Sequence, residues 1–238
     1  MSYKKVIAFG DSFTRGDELT DCPAVSSDNP FPHSKQTWPA ILAKTLRIEY
    51  DCRATGGRGN QYISNQVNRH IEFEKPYLFI VNWTYFGRFD FIDHNDRWST
   101  ICPGSEDKIG KDYYRNFDND IWNLHRNLQI MHSVLSLLEA NKIDFIFTCH
   151  DPAFKHTIDT LRHNCPEAAR NHWHKSIQIL SNLVVPKIIE FEGLTFTDWS
   201  VKHSYPIGSG QHPLEKAHAE AAKYINMQIA EGNINGYR

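Results

Sequence analysis

Short apolar runs alternate with longer amphipathic stretches along this sequence, and that alternation is its most constraining feature. Most of the runs contain no alternating polar residues, which is typical of strands buried on both faces of a sheet. The runs predicted to be strands are Lys5–Phe9, Leu46–Cys52, Tyr77–Trp83, Ile143–Cys149 and Pro186–Phe191.

The stretches between these runs carry apolar residues at the spacing of an amphipathic helix. Helices are predicted around Trp38–Leu46, Ile63–Ile71, Tyr113–Ala140, Ile177–Leu183 and His212–Ile229. Strands that alternate with helices predict an α/β fold, here a three-layer αβα sandwich with a mostly parallel, five-stranded sheet of flavodoxin-like type. One domain spanning residues 1–238 accounts for the whole pattern, with long rim loops at about 17–35 and 88–112.

Composition excludes several classes of protein. The net charge of −2 offers no basic excess for neutralising phosphates, so nucleic acid is not an expected partner. A mean hydropathy of −0.53, without a long uncharged apolar run, excludes a membrane span. The apolar stretch before Gly10 is too short for the core of a signal peptide, so a cytoplasmic location is expected.

Ligands of an open parallel sheet bind at the carboxyl ends of its strands, which directs attention to the residues that follow each run. Ser12 follows the first strand and is a candidate nucleophile for acyl transfer, with His212 as a candidate base. The backbone N–H groups of Ser12 and Gly57 are candidate donors to an oxyanion, together with Thr84 or Asn82.

In order and position, these blocks resemble those of the SGNH (GDSL-like) hydrolases. Gly10-Asp11-Ser12 resembles the block that carries the family's nucleophile, Gly57 the oxyanion-hole glycine, and His212 the catalytic histidine. The resemblance implies a hydrolase of carboxylic esters: an esterase, a lipase-like enzyme or a carbohydrate O-deacetylase. Its substrate would be a small-molecule or carbohydrate ester, and the chemistry requires no metal or organic cofactor.

Two positions depart from the family's pattern. Its third block reads Gly-x-Asn-Asp, and Thr84 stands where the oxyanion asparagine would be, with Asn82 two residues earlier and facing the same side of the strand. The family's acid lies three residues before the histidine, where this chain has Ser209. Asp198 is a possible replacement acid, and the alternative is a Ser-His dyad. Asp11 is expected to hold the turn around Ser12 through backbone hydrogen bonds.

Other interpretations remain open at this point. Ser12 could be a helix N-cap, and His212 a capping or surface residue. Because Ser209 replaces the acid, an SGNH-fold binding protein that has lost catalysis is a second hypothesis. A flavodoxin-like protein that binds a nucleotide or another small ligand is a third. His150 and Asp151 are more plausible as ordinary polar residues than as metal ligands. The sequence does not determine the particular ester or the oligomeric state.

Overall fold

A four-stranded parallel sheet forms the centre of the protein. The computed structural model describes residues 3–24, 32–71, 77–152, 154, 158 and 172–232. In chain order, the strands are β1 (Lys5–Phe9), β2 (Glu49–Cys52), β3 (Tyr77–Trp83), β4 (Phe89–Ile92), β5 (Trp98–Ile101) and β6 (Asp144–Cys149). The parallel sheet has the order β2-β1-β3-β6, and strands β4 and β5 form a separate antiparallel hairpin.

Helices cover both faces of the sheet. They are α1 (Ser12–Arg15), α2 (Trp38–Leu46), α3 (Asn60–His70), α4 (Lys108–Asn116), α5 (Asp120–Ala140), α6 (His172–Val184), α7 (Phe196–Lys202) and α8 (Glu215–Ala230). The predicted α/β architecture with helices on both sides of a parallel sheet is confirmed.

Successive strand residues point to opposite faces, so the sheet divides the core into two halves. One half packs against α3, α5 and α6, and its strand residues include Ile7, Phe9, Phe79, Val81 and Phe147. The other half packs against α2, α7 and α8, and its strand residues include Val6, Ala8, Leu78, Ile80 and Ile146. This burial on both faces explains why the strands are continuous apolar runs.

Strand β1 lies inside the sheet, between β2 and β3. The residues that follow it therefore emerge at the middle of the carboxyl edge. Helix α8 packs against α2 on one face, through small residues such as Ala217 and Ala221, and this brings the segment before α8 to the same edge.

The fifth predicted strand, Pro186–Phe191, is reduced to an isolated parallel bridge between Phe147 and Ile188. Pro186 lies in a 3-10 turn, Val185–Lys187, because proline has no N–H to donate to a sheet. The expected five-stranded sheet therefore has four full strands among the described residues.

Three further boundaries differ from the expectation. The predicted helix from Tyr113 to Ala140 is broken, because Asn119 caps a new helix by accepting a hydrogen bond from Trp122 N–H at 3.1 Å. The rim loop at 88–112 contains the β4–β5 hairpin and the start of α4. The last helix begins at Glu215, which leaves His212 in the preceding loop. Residues 25–31 of the other rim loop lie outside the described residues.

None of the described helices has both the length and the apolar composition needed to cross a bilayer.

The two-sided core predicts a large cost for deleting a buried side chain. Leu128 of α5 is 0% exposed, so Leu128→Ala should lower the free energy of unfolding by about 2–5 kcal/mol through lost burial and a residual cavity. Leu183→Ala is the matched control, because that leucine is 46% exposed and should cost less than about 1 kcal/mol. Urea unfolding followed by circular dichroism measures both. Equal costs would contradict the assignment of Leu128 to the core.

Candidate active site

Ser12 is the first residue of α1, directly beyond β1. Asp11 is the N-cap of this helix, and its Oδ1 accepts a hydrogen bond from Phe13 N–H at 3.1 Å. The expected role of Asp11 in the turn around Ser12 is thus confirmed. Because Asp11 performs the capping, the Ser12 hydroxyl is not needed for it.

The Ser12 hydroxyl meets the imidazole of His212. Ser12 Oγ lies 2.8 Å from His212 Nε2, although the two residues are 200 positions apart in the chain. The His212 loop is tight, because Gly208 N–H donates to the His212 carbonyl at 2.8 Å. The ring of Phe13 lies 4.7 Å from the imidazole, centroid to centroid, and packs against it. The sequence therefore correctly anticipates that Ser12 and His212 meet at one edge of the sheet.

The second nitrogen of the imidazole faces a carboxylate that the sequence analysis missed. Glu18 Oε2 lies 2.7 Å from His212 Nδ1. The same carboxylate accepts hydrogen bonds from Gly210 N–H, at 2.9 Å to Oε1, and from the Ser209 hydroxyl at 2.8 Å. In order of size, Gly210 N–H, His212 and Ser209 lower the pKa of Glu18 to about 2.

These contacts determine which nitrogen of His212 carries a proton. An ionised carboxylate can only accept a hydrogen bond, so the Nδ1 of His212 that faces Glu18 must donate one. In the neutral imidazole Nε2 is then the acceptor, and it takes the hydrogen bond from the Ser12 hydroxyl. Ser12, His212 and Glu18 thus form a chain of hydrogen bonds, and its donor-to-acceptor direction is the one that proton removal from Ser12 requires.

Ser209 and Asp198 were the predicted candidates for orienting the imidazole. Neither forms a hydrogen bond with the imidazole, so the structure does not support that prediction. Ser209 donates its hydroxyl hydrogen to Glu18 instead. Asp198 lies in the first turn of α7, where its Oδ2 accepts a hydrogen bond from Thr195 Oγ1 at 2.9 Å. One sequence signal could have indicated Glu18. It lies at the start of the first rim loop, and insertions after strands tend to frame active sites.

Two of the expected oxyanion donors, the backbone N–H groups of Ser12 and Gly57, lie in the segments that follow β1 and β2. Ser12 N–H is at the first position of a helix, where no intrahelical acceptor exists. Gly57 has a φ of +73° and open space where a Cβ would be. Thr55 N–H donates to the Gly10 carbonyl at 3.1 Å, which holds the glycine-rich loop beside the Ser12 turn.

The structure does not support the prediction that Thr84 or Asn82 supplies a side-chain donor to the oxyanion hole, because internal hydrogen bonds occupy both side chains. Thr84 is 0% exposed and donates its hydroxyl hydrogen to Asp11 Oδ2 at 2.6 Å. Asn82 is 1% exposed, and its amide donates to Thr14 Oγ1 at 2.7 Å. Its Oδ1 accepts from Thr148. Neither side chain is directed at a substrate beside Ser12.

A buried charge cluster supports the Ser12 turn from below. Asp11 is 0% exposed, its Oδ2 lies 2.8 Å from Arg88 Nη1, and its Oδ1 lies 3.4 Å from His150 Nε2. Burial raises the pKa of Asp11, but His150, Arg88 and Thr84 outweigh it and hold that pKa well below its usual range. His150 also stacks on Phe13 at 4.2 Å, so the Phe13 ring contacts both this histidine and His212.

His150 and Asp151 do not form part of a metal cluster. Asp151 accepts a hydrogen bond from Phe86 N–H at 2.8 Å, while His150 faces Asp11. In the described part of the chain, no group of three or more His, Cys, Asp or Glu side chains is arranged to bind a metal.

Comparison with known proteins shows the fold. No protein-family model and no curated protein matches the sequence. The acetyl xylan esterase Est2A from the rumen bacterium Butyrivibrio proteoclasticus superposes with a TM-score of 0.56 at 13% identity, over 98% of this chain and 65% of that chain. The psychrotrophic esterase EstA from Pseudoalteromonas sp. gives a TM-score of 0.51 at 11% identity, over 96% and 97%.

A lipolytic protein of the G-D-S-L family from Desulfitobacterium hafniense is also similar, with a TM-score of 0.46 at 15% identity, over 94% of this chain and 98% of that chain. The likeness to EstA and Est2A confirms the predicted α/β fold, which this chain shares with these two esterases.

The buried cluster predicts an acid-sensitive contribution to stability. Asp11→Asn removes the charge that balances Arg88 and should lower the free energy of unfolding at pH 7 by about 3 kcal/mol. The pKa of folded Asp11 is below its ordinary 3.8, so this stabilisation is present above about pH 4 and is lost as the pH falls further. The difference between wild type and variant should therefore shrink in urea unfolding at pH 3.

Asp51→Asn is the control, because it breaks the 2.8 Å pair of Asp51 with Arg53 near the surface. Such pairs contribute about 0–1 kcal/mol. A cost for Asp11→Asn as small as the control's would contradict the stabilising role of the buried cluster.

Proposed function

We propose that this protein hydrolyses carboxylic esters with Ser12 as the nucleophile and His212 as the general base. The observation that supports this most directly is the 2.8 Å contact between Ser12 Oγ and His212 Nε2. A serine hydroxyl is a weak nucleophile unless a base within hydrogen-bond reach removes its proton. The pair is at the edge of the sheet where ligands of such folds bind.

The reaction proceeds in two halves. As Ser12 Oγ bonds to the acyl carbon, His212 Nε2 takes the hydroxyl proton, and the carbonyl π electrons move onto oxygen. When the ester C–O bond breaks, the leaving alcohol takes that proton and Ser12 carries the acyl group. Water then attacks the acyl-enzyme and gives a proton to Nε2, which returns it to Ser12 as the carboxylic acid departs.

The oxyanion of each tetrahedral intermediate is assigned to the backbone N–H groups of Ser12 and Gly57. Both groups come from loops that meet at the same edge through the Thr55–Gly10 hydrogen bond. Backbone donors of this kind are fixed before the reaction begins, and removing one such donor typically costs about 10²–10³-fold in kcat. With Asn82 and Thr84 directed elsewhere, this oxyanion hole relies on the backbone.

The expected substrates are esters of small molecules or carbohydrates. Two similar structures, Est2A and Axe2 from Geobacillus stearothermophilus, are described as acetyl xylan esterases, which makes acetylated sugars the first compounds to assay. The chemistry assigned to Ser12 and His212 is complete without a metal or an organic cofactor.

Covalent labelling tests the proposal. Wild type should react with a fluorophosphonate probe and turn over short-chain nitrophenyl esters. Ser12→Ala should abolish labelling and lower kcat by roughly 10⁴–10⁶-fold, because no other group replaces the nucleophile. Ser136→Ala, at an exposed position of α5, is the control and should behave as wild type.

Absence of both labelling and ester turnover in the folded wild type would overturn the proposal. It would favour the alternative hypothesis of an SGNH-fold binding protein without catalysis.

A further inference from the structure

We infer that Glu18 is the positioning residue for His212. In the family's pattern this role belongs to an acid three residues before the histidine, and in this chain Ser209 occupies that position. The inference rests on the proposed function, because it assigns the third member of the same site. It is carried by the 2.7 Å contact between Glu18 Oε2 and His212 Nδ1.

The local backbone explains how Glu18 reaches the imidazole. Helix α1 ends after Arg15 because Gly16 adopts a left-handed conformation, with a φ of +85°. Glu18 is also left-handed, with a φ of +67°, and the following Leu19 is buried. The chain therefore reverses immediately after the nucleophile and points Glu18 towards the loop that carries His212.

That loop is built to receive a carboxylate. A Cβ at Gly208 would lie 2.6 Å from Glu18 Oε2, so the carboxylate can approach only because the residue is glycine. Gly210 N–H and the Ser209 hydroxyl both donate to the carboxylate, which fixes its direction as well as its position. Ser209 thus supports the acid instead of supplying it.

A second link fixes the same two segments without touching the imidazole. Glu215 Oε1, at the start of α8, accepts a hydrogen bond from Thr20 N–H at 2.8 Å. Glu18 and Glu215 therefore both connect the loop after α1 to the C-terminal region. Only Glu18 contacts His212, so the two glutamates separate a positioning role from a structural one.

The charges around His212 support the assignment. The hydrogen bonds from Gly210, His212 and Ser209 lower the pKa of Glu18 to about 2, so it is ionised wherever the enzyme would be assayed. Another titratable group that interacts with His212 is His218 of α8, and burial lowers its pKa to about 3. His218 is therefore uncharged at neutral pH, and Glu18 supplies the negative charge beside the imidazole.

The first test is Glu18→Gln compared with Glu215→Gln. Glu18→Gln should lower kcat by roughly 10²–10⁴-fold, because an amide can also turn a donor N–H towards Nδ1 and so no longer fixes the tautomer of the imidazole. KM should stay within about 2-fold, since Glu18 acts through His212.

Glu215→Gln should leave kcat and KM as in wild type. Equal losses of kcat in the two variants, or a Glu18→Gln enzyme with the kcat of wild type, would overturn the assignment.

Gly208→Ala provides a second route that keeps the carboxylate in the protein. The three atoms nearest to the added methyl group all belong to the Glu18 carboxyl group, at 2.6–2.9 Å, so the carboxylate must shift. Gly208→Ala alone should lower kcat by about 10-fold, and it should add little in the Glu18→Gln background, because both changes remove one interaction. Fully additive losses would contradict the proposal.

Proton NMR tests the contact without reference to activity. The His212 Nδ1–H should give a strongly downfield resonance in wild type and in Ser12→Ala, and this resonance should be absent in Glu18→Gln. Its presence in a protein that turns over no ester would overturn the proposed function and leave the Glu18 contact established. Its absence in an active wild type would overturn the role of Glu18 alone.

Discussion

The hydrogen bond between Ser12 and His212 is the interaction on which the candidate site depends, and the fold must bring distant parts of the chain together to form it. Strand β1 places Ser12 at the middle of the sheet, because β2 and β3 flank it. Packing of α8 on α2 brings the His212 loop to the same edge, and His218 Nδ1 secures this packing by accepting a hydrogen bond from Trp38 N–H at 3.1 Å. The chemistry therefore depends on long-range packing, not on local sequence.

Two layers of polar groups surround Ser12, and they do different work. The outer layer, His212 and Glu18, is partly open to solvent, with side chains 16% and 26% exposed. In the proposed reaction, this layer accepts the Ser12 proton and returns it. The inner layer is the fully buried Asp11, with Arg88 at 2.8 Å and His150 at 3.4 Å from its carboxylate. Because Asp11 caps α1 through Phe13 N–H, the inner layer fixes the start of the helix that carries Ser12, while the outer layer contacts the Ser12 hydroxyl.

The sequence predicts those parts of the fold and site that periodicity and strand ends determine. Strands β1 and β3 match the apolar runs residue for residue, and the positions of Ser12 and His212 follow from where the elements end. Glu18 could not be found this way, since its contact joins two loops and requires left-handed backbone at Gly16 and Glu18. The side-chain orientations of Asn82 and Thr84 could not be predicted either. They depend on hydrogen-bond partners that are distant in sequence, which are Thr14, Thr148 and Asp11.

The reversal of the chain after α1 has a consequence for how such a site can diversify. It places two of the three aligned side chains, Ser12 and Glu18, on one short segment, so the loop before α8 must contribute only the imidazole and room for a carboxylate. That loop is thereby freed from carrying an acid at a fixed interval. What the loop must keep instead is the glycine at position 208 and the two donors, the Ser209 hydroxyl and Gly210 N–H, that hold the carboxylate.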